Sequence, residues 1–397
     1  MMTPLSVLNV RLQSLSIFRS LLDDPVIAAL SRYLSCDAPI TEEASRYAAF
    51  VSALYNTDKR TLAGYIQSLV NNDENAYIRM IGKGAQPWPE MEEDVWAELE
   101  ILQDVANLTP EVLCEKLHWG HYLPRFAVKH LDIAASYKER CAGISRYGYG
   151  IYAKYRMFYL DANGHIVPVH NPDQTQLSSL VDYKREQQII LDNTYALLEG
   201  KPAANILLTG DAGTGKSSTI KAVVNELWEK GLRILEVRKE QLHQLPGILD
   251  ELNSNPLKFI LFIDDLSFQR DDDNFSALKA ILEGSVSARS SNVVIYATSN
   301  RRHLVKETFS DRQGDDIHRN DTMQEMISLS ERFGIQITFQ KPNRATYLDI
   351  VHHLAAQRGV EMDQKELDIQ AEAFALGRGG RSARAATQFV DGLAAKK

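Results

Sequence analysis

One short segment constrains the fold of this chain most: the loop between an apolar run at 205–209 and the helix that follows it. Its sequence, "NILLTGDAGTGKSST", has Gly210, four further residues, and then Gly215, Lys216 and Ser217. Glycines here let the backbone turn so that N–H groups point at phosphate oxygens, and the next helix start adds partial positive charge. This spacing, after a strand and before a helix, predicts a phosphate-binding P-loop.

The P-loop pattern assigns a role to each residue of the segment. Lys216 is expected to reach the β- and γ-phosphates of ATP, and the Ser217 hydroxyl is expected to ligate Mg²⁺. Asp211 adds a carboxylate at the loop position farthest from the lysine, which we interpret as tolerated. The alternative is a glycine-rich turn without a ligand. The residues expected to bind the nucleotide are Gly210, Asp211, Ala212, Gly213, Thr214, Gly215, Lys216, Ser217 and Ser218.

A pair of carboxylates forms the second candidate site. Asp264 and Asp265 follow five apolar residues in "FILFIDDL". Two adjacent carboxylates at the end of a buried strand are unfavourable unless a positive charge lies beside them, and Mg²⁺ supplies one. We expect Asp264 to hold the metal through its water shell and Asp265 to orient the attacking water. The alternative is an ordinary polar strand end.

Apolar runs alternate with helical stretches in the second half of the chain. The runs lie at 205–209, 233–237, 258–264, 292–298 and 335–339. Continuous apolar strands separated by helices indicate a parallel sheet covered on both faces. The sequence therefore predicts an α/β fold built on a five-stranded parallel sheet.

The rest of the chain differs in pattern. Residues 1–145 show apolar positions at three and four spacing, which indicates helices, and 155–169 read as a hairpin with "DANG" as its turn. We therefore predict a mostly helical N-terminal domain over 1–170 that ends in this hairpin. An α/β nucleotide-binding domain follows over 177–342, and a small all-helical domain over 343–397.

Composition excludes some classes of function. Lysine and arginine number 44 against 52 acidic residues, so the net charge of −8 excludes a polybasic nucleic-acid binder. Cys36, Cys114 and Cys141 form no C-x-x-C pair, which predicts no disulfide or zinc site and fits a cytoplasmic protein. No apolar run approaches the roughly 18 residues needed to span a bilayer. Residues 1–22 indicate an amphipathic helix, with an organellar transit peptide as the alternative.

Further motifs follow in a fixed order. "YATSN" ends the fourth strand, "SERFG" precedes the fifth, and "GRGGRSAR" lies in the helical C-terminal domain. With the P-loop and the acidic pair, they resemble an AAA+ ATPase over about 177–395, the C-terminal domain being its helical lid. "FIDDLSF", "YATSNRRHL", "SLSERFG" and "RGGRSARAATQFV" are similar to a bacterial AAA+ family with a helical N-terminal domain and no assigned cellular role. Asp265 departs from the wider superfamily, where most members have Glu. Its side chain is one methylene shorter, which is expected to affect the efficiency of ATP hydrolysis but not nucleotide binding.

The resemblance implies roles for several polar residues. Asn300 matches sensor 1, which holds the lytic water, with a turn asparagine as the alternative. Arg332 matches the arginine finger that reaches a neighbouring subunit's nucleotide, with a surface arginine at a helix end as the alternative. Arg381 and Arg384 lie three apart, and one of them is expected to be sensor 2, which touches the γ-phosphate; the spacing in "GRSAR" favours Arg384.

Two weaker assignments complete the site. Val181 and Tyr183 open the helix before the first strand, where AAA+ proteins bind adenine, although both could be packing residues. "RGGRSAR" could also be read as a small nucleic-acid patch.

The resemblance implies a homo-oligomeric Mg²⁺-dependent ATPase that remodels or loads a protein or nucleic-acid partner held by the N-terminal domain. The alternative is a nucleotide-gated binding or scaffold protein with slow hydrolysis, which Asp265 would favour. A P-loop kinase is disfavoured by the arginine-finger position and the paired arginines. Unfoldases that thread a polypeptide through a pore carry an aromatic-hydrophobic-Gly loop after the second strand. The corresponding stretch here, "RKEQLHQLPG", has no aromatic residue, so this activity is disfavoured. No membrane partner is expected.

Overall fold

The structure is a computed structural model that describes residues 3–266, 278–279, 281–282, 291–300 and 331–395. The chain divides into two compact units, Met1–Lys154 and Tyr155–Lys397. Within the described ranges, no helix combines the length and the apolar character needed to cross a membrane.

The first unit is helical, as the sequence predicts. Its helices are α1 (Pro4–Gln13), α2 (Pro25–Leu34), α3 (Ile40–Tyr55), α4 (Leu62–Asn72), α5 (Ala76–Gly82), α6 (Pro89–Ala106), α7 (Pro110–Glu115), α8 (Ile133–Ala142), α9 (Ile144–Tyr147) and α10 (Ile151–Lys154), with a 3₁₀ turn at Arg19–Asp23. Several begin after a residue whose side-chain oxygen accepts an N–H of the first turn, which satisfies a donor the helix cannot. These residues are Thr3, Asp24, Thr61, Asn75, Thr109 and Asp132.

Among the described residues, the second unit is built on a sheet of seven strands. They are β1 (Met157–Leu160), β2 (Ile166–Pro168), β3 (Ile206–Gly210), β4 (Leu232–Glu236), β5 (Lys258–Ile263), β6 (Val293–Ser299) and β7 (Ile335–Phe339). Their order is β2-β1-β4-β5-β6-β3-β7. Every pairing is parallel except that of β1 with β2. In β5, all residues from Phe259 to Ile263 are buried, as expected for a strand covered on both faces.

The five predicted parallel strands are confirmed, but the strand count is wrong because the hairpin joins the sheet. β1 pairs in parallel with β4, and β2 returns antiparallel to β1 through a turn that Asp161 stabilises by accepting the N–H groups of Asn163 and His165. A four-residue strand can bury its apolar side chains only by joining a larger sheet. The division between units therefore falls after Lys154, whereas the sequence places it at 170–176.

The helices with described bounds in the second unit cover the sheet or form the lid. They are α11 (Lys184–Leu198), α12 (Lys216–Leu227), α13 (Leu245–Asn253), α14 (Arg344–Gln357), α15 (Gln364–Gly377) and α16 (Ala383–Ala394), with 3₁₀ turns at Leu177–Ser179, Trp228–Lys230 and Lys239–Gln244. We call α14–α16 the lid. Its helices share a core of their own that includes Tyr347, Val351, Ala371 and Val390.

The strand order brings the predicted motifs together at the carboxyl ends of three central strands. β6 lies between β3 and β5, and all three run in the same direction. Their carboxyl ends therefore meet, and these ends carry Gly210, Asp264 and Asn300. Ligands of open α/β sheets bind in such a crevice, beyond the carboxyl ends of the strands.

Candidate nucleotide-binding site

The loop after β3 needs its glycines. Gly210, Gly213 and Gly215 have φ of +138°, +79° and +93°, a region that side chains other than hydrogen rarely adopt. A Cβ on Gly210 would lie 2.1 Å from the carbonyl oxygen of Phe339 on β7. α12 begins directly at Lys216, so the loop ends at a helix N-terminus. This geometry suits an anion.

Lys216 is buried beneath the loop, with 5% of its surface exposed. Its Nζ donates to the carbonyl oxygens of Gly210 at 2.8 Å and Asp211 at 2.9 Å, and to Oδ1 of Asn300 at 3.0 Å. Burial lowers the pKa of Lys216, and the carboxylates of Asp264, Asp211 and Asp265 act in the opposite direction. An anion in the loop would compensate the desolvated charge more fully than these contacts do.

The two carboxylates are exposed at the end of β5 and make different contacts. Oδ1 of Asp264 accepts hydrogen bonds from Ser217 Oγ at 2.7 Å and from Thr298 Oγ1 at 2.5 Å. Asp265 adopts φ +53° and accepts a bond from Asn300 Nδ2 on its Oδ1 at 2.7 Å. The two neighbours therefore have different partners, since Asp264 faces the P-loop serine and Asp265 faces Asn300.

Together these contacts form one series of hydrogen bonds, which we call the polar chain. It runs through Lys216, Asn300, Asp265, Thr298, Asp264 and Ser217. The carboxyl ends of β5 and β6 are thereby joined to the start of α12. The sequence predicted most of these residues individually, and the structure brings them together in one cleft.

The cleft fits Mg²⁺ in the chemistry of its donors. The Ser217 hydroxyl and the Asp264 carboxylate are hard oxygen ligands, and their oxygens are 2.7 Å apart. Mg²⁺ prefers oxygen ligands and is held by one or two protein groups together with substrate phosphates and water. These two residues would hold the ion.

The cleft has a volume of about 660 Å³, within the range of about 300–1,000 Å³ usual for small-molecule sites. The P-loop, the acidic pair and Asn300 line its polar side. Val181, Ile350 and Leu354 line it as well, and Val181 packs against the core of the lid. Tyr183 also lines the cleft; it adopts φ +66° and its hydroxyl donates to the carbonyl oxygen of Gln340.

The two lid arginines differ in their surroundings. Arg384 lines the cleft at the start of α16, and its backbone N–H donates to the carbonyl oxygen of Gly213 at 3.3 Å. Arg381 instead forms two bonds to the carboxylate of Glu372, at 2.9 and 2.6 Å. That contact raises the pKa of Arg381 and lowers the pKa of Glu372. Of the two candidates for sensor 2, the geometry favours Arg384.

Arg332 lies near the amino ends of the strands, opposite the carboxyl ends that carry the P-loop. It precedes β7, whose first residue, Ile335, pairs with Ile206 at the start of β3. The P-loop leaves the opposite end of β3, at Gly210, which pairs with Phe339. The arginine is therefore separated from its own P-loop by the length of a strand, about 15 Å.

Some cleft residues were missed by sequence reasoning. Ile350, Leu354 and Gln357 recur at helical spacing on α14, a pattern that by itself indicates only a packed face. Thr298 stands two residues before Asn300, and the alternation of a strand places both on one side. That alternation was the signal that could have identified it.

Comparison with known proteins places the chain in a family. Residues 153–397, which contain the whole P-loop unit, match the family described as "Protein of unknown function (DUF815)". The chain belongs to this family. The match agrees with the resemblance that the motifs indicate, to a family without an assigned role. A search of curated proteins finds no match for this DUF815 chain.

Solved structures show distant similarity. The RuvB Holliday junction branch migration motor of Thermotoga maritima is 16% identical, with a TM-score of 0.36, over 55% of this chain and 63% of that one. PCH-2 of C. elegans is 19% identical, with a TM-score of 0.37, over 53% of this chain and 63% of that one. The DUF815 chain thus spans less than two thirds of either structure.

Proposed function

We propose that this DUF815 protein is a Mg²⁺-dependent AAA+ ATPase that uses ATP hydrolysis to remodel or load a macromolecular partner held by its first unit. The polar chain is the observation that carries this proposal. It joins the buried P-loop lysine to two carboxylates and an amide, and Arg384 stands across the same cleft. A site that only bound phosphate would not need a second carboxylate held by an amide.

Five of the six residues of the polar chain take a role in hydrolysis. Lys216 exchanges its bonds to loop carbonyls for the β- and γ-phosphates, so that its charge is neutralised. Ser217 and Asp264 hold Mg²⁺, which when bound neutralises charge on the phosphate oxygens. Asp265 orients the attacking water, and Asn300 holds that water near the γ-phosphate.

The position of Arg332 supports assembly into an oligomer. The arginine lies near the amino ends of the parallel strands, whereas the cleft opens at their carboxyl ends. It can therefore stabilise the transition state only in the cleft of a neighbouring subunit, where such a contact is worth about 10³–10⁵ in rate. Turnover per subunit should then rise with protein concentration.

The test of catalysis is phosphate release from ATP by the full-length protein with Mg²⁺. Lys216→Ala should abolish ATP binding, and Asp265→Asn should bind ATP normally and hydrolyse it about 10²–10⁴-fold more slowly. Lys221→Ala is the matched control, because Lys221 lies on the same helix but pairs with Glu236. ATP binding by Lys216→Ala at wild-type affinity would refute the P-loop assignment.

The test of assembly is a mixture of two inactive variants. Arg332→Ala subunits keep an intact cleft and Lys216→Ala subunits keep an intact arginine. Mixing them should restore part of the activity wherever the two meet. No rescue in mixtures shown to co-assemble, or full activity in a monomer, would contradict the role of Arg332.

A second function is favoured by one observation, the conformation of Asp265. Its side chain is short, and its backbone is left-handed, with φ +53°. A nucleotide-gated binding protein with slow hydrolysis would have such a site. A wild-type protein that binds its partner with ATP but not with ADP, and turns over no faster than Asp265→Asn, would identify this function.

A further inference from the structure

Thr298 is a buried polar residue between the two carboxylates. It lies on β6 with 2% of its surface exposed. Its side chain and backbone contact the three residues that directly follow β5: Asp264, Asp265 and Leu266. A residue with contacts to all three can fix how that strand ends.

The directions of these hydrogen bonds are determined by chemistry. A hydroxyl has one proton to donate and two lone pairs that accept. A carboxylate can only accept, so Thr298 Oγ1 donates its proton to Asp264 Oδ1 at 2.5 Å. The same oxygen accepts the backbone N–H of Asp265 at 2.9 Å. The single Thr298 hydroxyl therefore binds the carboxylate of Asp264 and the backbone N–H of Asp265.

The backbone conformation of Asp265 explains why these two hydrogen bonds are needed. Asp265 has φ +53°, an uncommon conformation for a residue with a side chain, which other contacts must stabilise. Its N–H also reaches Asp264 Oδ1 at 3.2 Å, and the next N–H, of Leu266, donates to the carbonyl oxygen of Thr298 at 2.7 Å. The turn directs the Asp265 carboxylate toward Asn300 and leaves Asp264 facing Ser217.

We propose that Thr298 is a positioning residue, whose hydroxyl orients Asp264 toward the metal and Asp265 toward the attacking water. The proposal rests on the proposed Mg²⁺-dependent ATPase function and names a residue that neither the P-loop nor the acidic pair includes. Partners that orient a metal ligand typically contribute about 10–100-fold to metal affinity or activity. The loss of the hydroxyl should therefore affect metal binding more than nucleotide binding.

The experiment compares threonine-to-valine substitutions at two places in one sheet. Thr298→Val keeps the shape and removes the hydroxyl, and Thr298→Ser keeps the hydroxyl. Thr209→Val is the matched control, because Thr209 is buried on the neighbouring strand β3 but its hydroxyl contacts Thr338 at 3.1 Å. The first readout is Mn²⁺ affinity by electron paramagnetic resonance in the presence of ADP. ADP affinity in EDTA, ATP turnover and melting temperature are measured alongside.

Thr298→Val should weaken Mn²⁺ binding and slow turnover by about 10–100-fold each, with ADP affinity in EDTA unchanged. Thr298→Ser should stay close to wild type, and Thr209→Val should change the melting temperature without changing the metal affinity. If the valine variant does not fold, Thr298→Ala removes the same hydroxyl without adding a methyl group and gives the same test.

Wild-type Mn²⁺ affinity in both Thr298→Val and Thr298→Ala would overturn the proposal, as would an equal loss in Thr209→Val. A wild-type protein without Mg²⁺-dependent hydrolysis would instead refute the proposed function. In that case the Mn²⁺ affinities would still decide the role of Thr298, so the two failures are distinguishable.

Discussion

The contact between the P-loop and the lid leads to a sharp prediction at Gly213. Its φ is +79°, and a Cβ there would lie 3.1 Å from the Cβ of Arg384 and 3.4 Å from Oγ of Ser382. An alanine must adopt the left-handed conformation at a cost of about 1–2 kcal/mol, and it must also push the start of α16 away by a few tenths of an ångström. Gly213→Ala should therefore displace Arg384, the residue that we propose touches the γ-phosphate.

The magnitude follows from these two effects. Overpacking of this kind costs about 1–3 kcal/mol, and about 1.4 kcal/mol corresponds to tenfold in affinity. We expect the ATP affinity of Gly213→Ala to fall about tenfold, and the ADP affinity to fall less because ADP lacks the γ-phosphate. Titration with each nucleotide, with hydrolysis suppressed by EDTA, measures both.

Gly200→Ala is the control for backbone strain alone. Gly200 has φ +69°, and a Cβ there would meet no atom within 4 Å. Both variants should lower the melting temperature by about 2–4 °C per kcal/mol of strain, but Gly200→Ala should keep the wild-type affinity for ATP. An equal loss of ATP and ADP affinity in Gly213→Ala would refute the reasoning, because it would show that the loop itself had changed.

Two further predictions concern cations of the second unit. Arg384→Ala should weaken ATP binding more than ADP binding. Arg381→Ala, which loses its pair with Glu372, should change neither. The opposite ranking by nucleotide titration would identify Arg381 as sensor 2. Burial lowers the pKa of Lys216, so the folded protein binds fewer protons there than the unfolded chain at alkaline pH. The stability of the nucleotide-free wild type relative to Lys216→Met should therefore rise as the pH approaches the ordinary lysine value of 10.5, and melting temperatures that diverge the other way would contradict this.

The sequence predicts those parts of the site that depend on local chemistry. A P-loop needs glycine where φ is positive, so Gly210 and Gly215 are visible in the sequence. A buried strand must be apolar throughout, which locates β5 and the carboxylates after it. The central strands and the catalytic candidates could therefore be placed without coordinates.

What the sequence could not predict depends on contacts between distant segments. Whether Arg381 or Arg384 faces the cleft is decided by Glu372, which lies nine residues before Arg381 and takes it as a partner. The role of Thr298 depends on its contact with Asp264, 34 positions earlier in the chain. The motifs "FIDDLSF", "YATSNRRHL" and "SLSERFG" each lie partly outside the described residues.

The β1–β2 hairpin also forms one edge of the sheet, and it therefore determines which backbone N–H and C=O groups are unpaired there. Without β1, β4 would become an edge strand, and the three residues that pair with β1, Ile234, Leu235 and Glu236, would lose their partners on that side. An open edge of that kind recruits other chains and promotes aggregation. β1 covers it, and the new outer strand, β2, has only three residues and ends at Pro168, which has no N–H to offer. The second unit therefore carries its own protection against association along this edge, and a chain cut between β2 and α11 would lose it.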